Sequence, residues 1–224
     1  FRRARKRFRR FDNVVLRSRL TEAEVARFAV NRHRFPGVEV HARLTREYPL
    51  GPLTAHLLGY VGRVSEAELS IIDESNYLGT THIGKTGVER SYESVLHGRV
   101  GYSQVETNAE GRVLRVLERT DPVPGSDIEL TVDISLQATA AAAMDGRRGA
   151  VVVVDPNSGE VLALVSLPTY DPNPFVHGID VASYKTLSTS IDRPLFNRAL
   201  TGRYPPGSTV KPFFALAGRE LDTQ

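Results

Sequence analysis

The chain has 224 residues, of which 41% are apolar and 25% charged, and this balance is typical of a folded protein with its own core. No apolar run approaches the roughly 18–20 residues that a membrane-spanning helix needs, so the sequence predicts no membrane span within it. The absence of cysteine excludes disulfides, thiolate zinc sites and a cysteine nucleophile.

The net charge of +3 conceals an uneven distribution along the chain. Residues 1–10 carry seven basic side chains and no acidic one, whereas the other 214 residues carry 22 basic and 26 acidic side chains, a net charge of −4. A nucleic-acid-binding protein usually spreads its basic residues over one face instead. The sequence therefore favours a solvated helical or membrane-facing segment at residues 1–10 and predicts no nucleic-acid partner.

The first part of the chain alternates short elements with turns. Thr21 to Glu24 and Ser65 to Glu68 both match the capping box, in which a hydroxyl and a carboxylate satisfy each other's backbone N–H groups at a helix start. Apolar spacing after each box, and alternation elsewhere, predict further elements. The predicted helices cover residues 22–35, 53–60, 66–72 and 88–96, and the predicted strands cover residues 38–44 and 113–117.

The strongest chain breaker, Asp121–Gly125, contains two prolines and a glycine, so we place a domain boundary there. Beyond it the pattern predicts a strand over 128–132 and an alanine-rich helix over 135–144. Two apolar strands, over 149–154 and 161–167, follow and are joined by a tight turn. This order predicts a helix packed on an antiparallel sheet. The fold class is therefore α+β, with one domain at 1–124 and a second at 125–224.

One motif suggests a nucleotide site. Residues 79–86, Gly-Thr-Thr-His-Ile-Gly-Lys-Thr, match the phosphate-loop pattern, whose backbone N–H groups hold phosphates. A genuine phosphate loop follows a buried apolar strand, but the preceding residues 73–78 are largely polar. We therefore interpret the motif as a glycine-rich connector, and a phosphate-loop nucleotide hydrolase remains a remote alternative.

A second motif pairs Ser208 with Lys211 at a predicted helix start, after Tyr204-Pro205-Pro206-Gly207. Residues three apart lie on one face of a helix, so the lysine amine can reach the serine hydroxyl. A serine becomes a nucleophile when a base takes its proton, and the helix N-terminus offers N–H donors to a developing oxyanion. The alternative is a structural one, a capped helix start with a lysine that extends to solvent.

Residues 204–212, Tyr-Pro-Pro-Gly-Ser-Thr-Val-Lys-Pro, resemble the active-site helix start of the class B penicillin-binding proteins, in particular their elongation transpeptidases. Residues 82–90 and 111–115 resemble the non-catalytic pedestal of that family. Residues 148–156 and 159–163 resemble the first strands of its transpeptidase domain. The resemblance thus covers most of the chain. It implies a pedestal domain followed by the N-terminal part of a serine transpeptidase domain of the penicillin-binding and β-lactamase-like fold.

By this resemblance, Ser208 is the acylated nucleophile, Lys211 is its general base, and the backbone N–H of Ser208 is half of the oxyanion hole. The implied substrate is the D-alanyl-D-alanine end of a peptidoglycan stem peptide, which β-lactam antibiotics imitate. The family uses no cofactor and no metal in this reaction. The implied location is the periplasm, with an inner-membrane anchor before this chain, and the implied partners include a membrane glycosyltransferase and other elongation proteins.

The chain also departs from the family pattern. The family has a Ser-x-Asn and a Lys-Thr-Gly downstream of Ser-x-x-Lys, whereas this chain has no Ser-x-Asn and carries its one Lys-Thr-Gly upstream, at residues 85–87. We therefore expect the chain to be a piece of a longer protein and to be inactive in crosslinking by itself. An alternative of another class is a scaffold that docks partners of the cell-wall machinery, because over half of the chain precedes residue 125.

Overall fold

The structure, a computed structural model, describes residues 14–73, 75–109 and 113–221. The basic tip at residues 1–10, and Gly111 and Arg112 of the pedestal-like motif, lie outside these ranges. The described chain packs as two compact units, one with residues 14–45 and the described part of 101–122, the other with the described part of 46–100 and residues 123–221. No helix in the described ranges is both long and apolar enough to cross a membrane.

Most of the elements are short. The helices are α1 Glu22–Asn31, α2 Ala55–Leu58, α3 Glu66–Leu69, α4 Gly87–Ser91, α5 Glu93–Leu96, α6 Ile134–Ala143, α7 Asn173–His177, α8 Val181–Thr189, α9 Arg198–Thr201 and α10 Lys211–Leu221. The strands are β1 Val61–Arg63, β2 His82–Gly84, β3 Tyr102–Thr107, β4 Val113–Thr120, β5 Gly149–Val154 and β6 Val161–Leu167. The strands form three antiparallel pairs, β1 with β2, β3 with β4 and β5 with β6. Helices combined with antiparallel strands confirm the α+β class.

Helix α1 begins where the capping box predicts. The Glu24 N–H donates to Thr21 Oγ1 at 3.3 Å, and the Thr21 N–H donates to the Glu24 carboxylate at 2.9 Å. The helix ends at Asn31, and a 3₁₀ turn continues it to Arg34, close to the predicted end. These two hydrogen bonds satisfy backbone groups that a helix start otherwise leaves unpaired.

The strand predicted over residues 38–44 is wrong, because the structure forms no strand there and leaves Leu44 fully exposed. Alternation of apolar and polar residues makes one face of an extended segment apolar. A strand also needs a neighbouring edge that accepts its backbone hydrogen bonds, and this segment has none among the described residues.

Strands β3 and β4 form a hairpin in the same unit as α1. Val105 pairs with Val116, and Gln104 pairs with Glu118, so the register shifts between the two pairs. The strand predicted over 113–117 is confirmed and extends to Thr120, whereas β3 was not predicted. Every residue of both strands is exposed.

In the second unit, a capping box again starts a helix. The Ser65 N–H donates to the Glu68 carboxylate at 2.8 Å, and α3 then ends at Leu69, shorter than predicted. Nearby, Gly59 has a φ of +76°, and a Cβ there would lie 1.9 Å from the Thr86 carbonyl oxygen. Glycine is therefore required where the chain turns from α2 into β1, a strand that the sequence pattern did not reveal.

Helix α6 and strands β5 and β6 confirm the predicted helix on an antiparallel hairpin. The prediction of a strand over 128–132 is wrong, although this segment is hydrogen-bonded to the start of β6. Thr131 Oγ1 donates to the Val161 carbonyl at 2.8 Å, and the Asp133 N–H donates to the Leu162 carbonyl at 2.9 Å. A side chain supplies one of these two bonds, so the segment lies beside the sheet without forming a strand of it.

Gln137 of α6 joins three parts of the second unit and is 1% exposed. Its Nε2 donates to the Leu164 carbonyl at 2.8 Å, and its Oε1 accepts the Leu164 N–H at 2.8 Å. Nε2 also donates to the Leu53 carbonyl at 3.0 Å. In an antiparallel pair, alternate residues turn both backbone groups away from the partner strand, and the Gln137 amide satisfies those of Leu164 as another strand would.

A small aromatic core lies beside this junction. The rings of Tyr60 and Phe175 have centroids 4.4 Å apart, and Tyr170 meets Phe175 nearly edge-on at 5.5 Å. A second amide repeats the arrangement of Gln137, because the Asn173 side chain accepts the Tyr48 N–H at 2.9 Å and donates to the Tyr48 carbonyl at 3.1 Å. Residues from before β1 and after β6 therefore share one core.

We expect Gln137→Met to lower the free energy of unfolding by roughly 3 kcal/mol or more, because it leaves the backbone groups of Leu164 and Leu53 buried without partners. Urea unfolding followed by circular dichroism measures the change. Gln104→Met, at an exposed position of β3, is the control and should change stability by less than about 0.5 kcal/mol. Equal unfolding midpoints for the two variants would contradict this role of Gln137.

Candidate active site

Ser208 lies in the first turn of the C-terminal helical segment, as predicted. Pro205 and Pro206 restrict the backbone before it, and Gly207 has a φ of +57°, which favours glycine. The 3₁₀ turn Gly207–Val210 then continues directly into α10. The proline pair and the glycine therefore determine the direction in which the chain enters the helix.

The backbone joins Ser208 to Lys211, because the Lys211 N–H donates to the Ser208 carbonyl. The side chains of Ser208 and Lys211 are both exposed, and no hydrogen bond between them is present in the part of the chain that the structure describes. Pro206 occupies the N-cap position and no side chain caps this turn, so Ser208 does not serve as a helix cap. Their spacing keeps both side chains available on one helix face for a reaction.

Helix α10 has large apolar side chains that the described residues leave open to solvent. Phe213 is 70% exposed, Phe214 is 68% exposed and Leu216 is 62% exposed. A helix of this composition normally buries its apolar stripe against another element. The candidate nucleophile therefore lies at the start of a helix whose apolar side chains remain available for packing.

The segment before the serine is anchored by Asn197, which the sequence analysis missed. Asn197 Oδ1 accepts the N–H groups of Ala199 at 3.1 Å and Leu200 at 3.2 Å, and so caps α9. Its Nδ2 donates to the His56 carbonyl at 3.0 Å. Asparagine is a favoured N-cap residue, so the signal was present in the sequence, although its contact with residue 56 was not.

The phosphate-loop motif does not form a phosphate-binding loop. Residues 82–84 are strand β2, which pairs with β1, and the Lys85 ammonium forms an ion pair with the Glu68 carboxylate. Gly87 has a φ of +61°, and a Cβ there would lie 2.5 Å from the Leu57 carbonyl oxygen. A Cβ on Gly84 of the motif would lie 2.2 Å from the Glu89 carbonyl oxygen. Gly84 and the adjoining Gly87 therefore permit close backbone packing, in agreement with the connector interpretation.

The ion pair also perturbs the acidity of Glu68. Partial burial by itself raises the pKa of the Glu68 carboxyl group. Hydrogen bonds from Lys85 and Ser65, together with the positive charge of Lys85, outweigh this effect and lower the pKa to about 2. The side chains of Lys85 and Glu68 are 19% and 26% exposed. Lys85 therefore has a structural partner at the position where a phosphate loop would place a phosphate.

Two histidines of the second unit, His82 and His97, make packing contacts. His82 Nε2 lies 2.9 Å from the Val176 carbonyl oxygen, and the His97 ring stacks on Tyr77 with centroids 4.2 Å apart. Within the described ranges, no group of three or more histidine, aspartate or glutamate side chains is placed to bind a metal ion. The chemical hypothesis starts from the Ser208–Lys211 pair.

Comparison with known families matches both parts of the chain. The profile of the Penicillin-binding Protein dimerisation domain matches residues 1–130, and that of the Penicillin binding protein transpeptidase domain matches residues 149–222. Among curated relatives, the peptidoglycan D,D-transpeptidase MrdA of Escherichia coli strain K12 is 48% identical over 221 residues. That match covers 97% of this chain and 35% of the relative, so the chain spans about a third of its length.

Two solved structures of penicillin-binding proteins also match this chain. PBP2 of Pseudomonas aeruginosa, in complex with WCK 5153, has a TM-score of 0.71 at 54% identity, and the match covers 80% of this chain and 36% of that one. PBP2 of Helicobacter pylori, in complex with MreC, has a TM-score of 0.79 at 35% identity. This second match covers 89% of this chain and 37% of that one.

The Glu68–Lys85 pair generates a prediction about pH. The ordinary pKa of 4.5 falls to about 2 in the folded state, so the pair stabilises the fold above pH 4.5 and loses that contribution as the pH falls towards 2. Lys85→Met should remove the contribution already at pH 7 and flatten the acid dependence between these values. Urea midpoints measured at several pH values test this.

The matched control is Lys185→Met, which removes an exposed lysine of α8 and should leave the acid dependence unchanged. Calorimetric titration with ATP and magnesium, made on the same variants, should detect no binding before or after the change. An unchanged acid dependence in Lys85→Met would contradict the ion-pair account, and ATP binding lost in that variant would favour the phosphate loop.

Proposed function

Because the chain belongs to the penicillin-binding protein family, we propose that its parent protein is a peptidoglycan D,D-transpeptidase of the penicillin-binding protein 2 type, which acts in cell elongation. The observation that carries the proposal is the Ser208-x-x-Lys211 motif at a helix start, inside the region that matches the transpeptidase domain. The named D,D-transpeptidase relative, 48% identical over nearly the whole chain, supports it.

In the proposed reaction, Lys211 takes the proton of the Ser208 hydroxyl, and Oγ bonds to the carbonyl carbon of the penultimate D-alanine. The peptide C–N bond then breaks, and the terminal D-alanine leaves with a proton. An amine of a neighbouring stem peptide attacks the resulting ester, forms the crosslink and returns the hydroxyl to Ser208. A β-lactam acylates the same oxygen, because its ring amide occupies the position of the scissile peptide bond.

The helix start provides electrostatic support for this chemistry. The backbone N–H of Ser208 is the proposed first donor to the oxyanion, and the positive end of α10 favours negative charge at that position. A lysine acts as a base only when its ammonium group loses a proton, which burial or a nearby cation promotes. Because Lys211 is exposed here, we assign its burial, the second oxyanion donor and the Ser-x-Asn and Lys-Thr-Gly motifs to further segments of the parent protein.

We also propose the division into a pedestal over residues 1–124 and the start of a transpeptidase domain over 125–224. The breaker cluster at residues 121–125 and the two family matches, which end at 130 and begin at 149, support this division. In the packing, residues Arg46–Val100 belong to the same compact unit as those after Val123. In the proposed division, residues 46–100 of the pedestal therefore belong to the compact unit that carries the catalytic segment.

The parent protein is proposed to act in the periplasm, held to the inner membrane by a segment before this chain. Its substrates are peptidoglycan stem peptides, its inhibitors are β-lactams, and its partners include a membrane glycosyltransferase and an MreC-type elongation protein. The complex that a PBP2 relative forms with MreC supports the last of these partners.

In the full-length protein, Ser208→Ala should abolish covalent labelling by a fluorescent penicillin, because the acyl-accepting oxygen is gone. Lys211→Met should slow labelling roughly 10²- to 10⁴-fold, the range usual for loss of a general base. Gel fluorescence gives the rate, and mass spectrometry of the labelled peptide gives the position. Lys185→Met is the control for loss of a positive charge, and a label on Ser208→Ala at the normal rate would refute the proposed nucleophile.

A second function, partner docking, is favoured by the β3–β4 hairpin. All its residues are exposed, and its register places Val105 opposite Val116, with Val113 two pairs further along, opposite Thr107. Exposed apolar side chains grouped on one strand pair are typical of a protein interface. We propose that an MreC-type partner contacts this hairpin, in addition to the catalytic role of the parent protein.

Val116→Lys in the full-length protein should weaken binding of a purified MreC-type partner at least tenfold and leave penicillin labelling unchanged. Gln104→Lys adds the same charge to the neighbouring position of the hairpin, which points to the opposite face, and should bind normally. Biolayer interferometry measures both affinities. Binding of Val116→Lys at wild-type affinity would place the partner elsewhere.

A further inference from the structure

We propose that Arg198 is a positioning residue for the acylation of Ser208, an inference that rests on the proposed function. Arg198 is the first residue of α9 and is 8% exposed. It lies ten residues before Ser208, and the hydrogen bonds of Arg198 in the described chain go to other residues. Its effect on the reaction would therefore pass through the segment that connects the two residues.

The guanidinium of Arg198 holds the turn that precedes α9. Nη1 donates to the carbonyls of Arg193 at 3.2 Å and Phe196 at 3.4 Å, and Nη2 donates to the carbonyl of Asp192. Arginine suits this position because its planar group offers five donors in a fixed arrangement, whereas lysine offers a single ammonium centre. One side chain thus sets the path of residues 192–196.

Ser166 of β6 attaches the backbone of Arg198 to the β5–β6 hairpin. The Ser166 side chain is buried, with 2% of the residue exposed. The Arg198 N–H donates to Ser166 Oγ at 2.9 Å, and this hydroxyl donates to the Phe196 carbonyl at 3.4 Å. Asn197, the preceding residue, bonds to the His56 carbonyl. The start of α9 is therefore bound to β6 and to α2 at the same time.

Hydrogen bonds and prolines restrict both ends of the connection from α9 to Ser208. The Gly202 N–H donates to the Arg198 carbonyl at 3.2 Å, and a Cβ on Gly202 would lie 2.6 Å from the Tyr204 ring. Pro205 and Pro206 have restricted φ angles, and the Thr209 N–H donates back to the Pro206 carbonyl. A displacement of α9 would consequently be passed on to Ser208.

The consequence for the reaction is one of geometry. An attacking oxygen must lie about 3–3.5 Å from the carbonyl carbon and along the correct direction, and a displacement of about 1 Å can cost 10²-fold in rate. Loss of the Arg198 guanidinium would release residues 192–196 and with them α9. The serine would remain chemically intact but would be poorly aligned with the acyl donor.

The test uses the full-length protein and a fluorescent penicillin, with labelling followed to completion. Arg198→Met should label fully, but with an acylation rate constant about 10²-fold lower, and Arg198→Lys should fall between it and wild type. Arg148→Met is the matched control, because Arg148 contacts the same turn from solvent through the Asp192 carboxylate at 3.4 Å. It should label at the wild-type rate.

A merely structural role would lower the labelled fraction and leave the rate constant of the labelled molecules unchanged, and that result would overturn the inference. If Arg198→Met does not fold, the rate constant for Arg198→Lys decides, and a wild-type value would likewise overturn it. Failure of the wild-type protein to form a Ser208 adduct would instead refute the proposed function itself.

Discussion

The packing of the second unit depends on the buried side-chain amide of Gln137, which makes the hydrogen bonds that a further strand would otherwise make to β6. Gln137 donates to and accepts from the backbone of Leu164 and also binds the Leu53 carbonyl. Without it, three polar groups would lie buried and unpaired at a cost of about 1–3 kcal/mol each. The same device recurs where Asn173 binds both backbone groups of Tyr48. Such amides hold segments that are distant in sequence at defined separations, which apolar contact alone does not specify.

This constraint extends to the candidate active site through β6. The Gln137 amide binds Leu164, and two residues further along the strand Ser166 receives the backbone of Arg198. Ser208 follows after a short connection that contains two prolines, and the Pro206 carbonyl accepts two hydrogen bonds from Thr209. The chain that leads to the serine is therefore attached to a hydrogen-bonded scaffold at Asn197 and Arg198. Ser208, Lys211 and the large apolar residues of α10 are open to solvent in the described chain.

The comparison between sequence and structure separates local signals from non-local ones. Both capping boxes and the paired strands β5 and β6 were predicted correctly, because each depends on residues that are close in sequence. The segments 38–44 and 128–132 have strand-like patterns and form no strand, since a strand requires a partner edge that its own residues do not encode. Strands β1 and β2 were missed for the converse reason: each is three residues long and exists because the other lies beside it.

The amino-acid sequence by itself determined the α+β class, the family and the candidate pair Ser208 and Lys211, because motif spacing, capping and apolar periodicity are local properties. Only the tertiary structure decided that residues 46–100 pack with the later part of the chain, that Lys85 is paired with Glu68, and that Asn197 and Arg198 anchor the segment before the serine. These arrangements depend on contacts between residues that are not neighbours in sequence, such as Asn197 with His56 and Arg198 with Ser166. Such pairings become visible only when the backbone has brought the partners together.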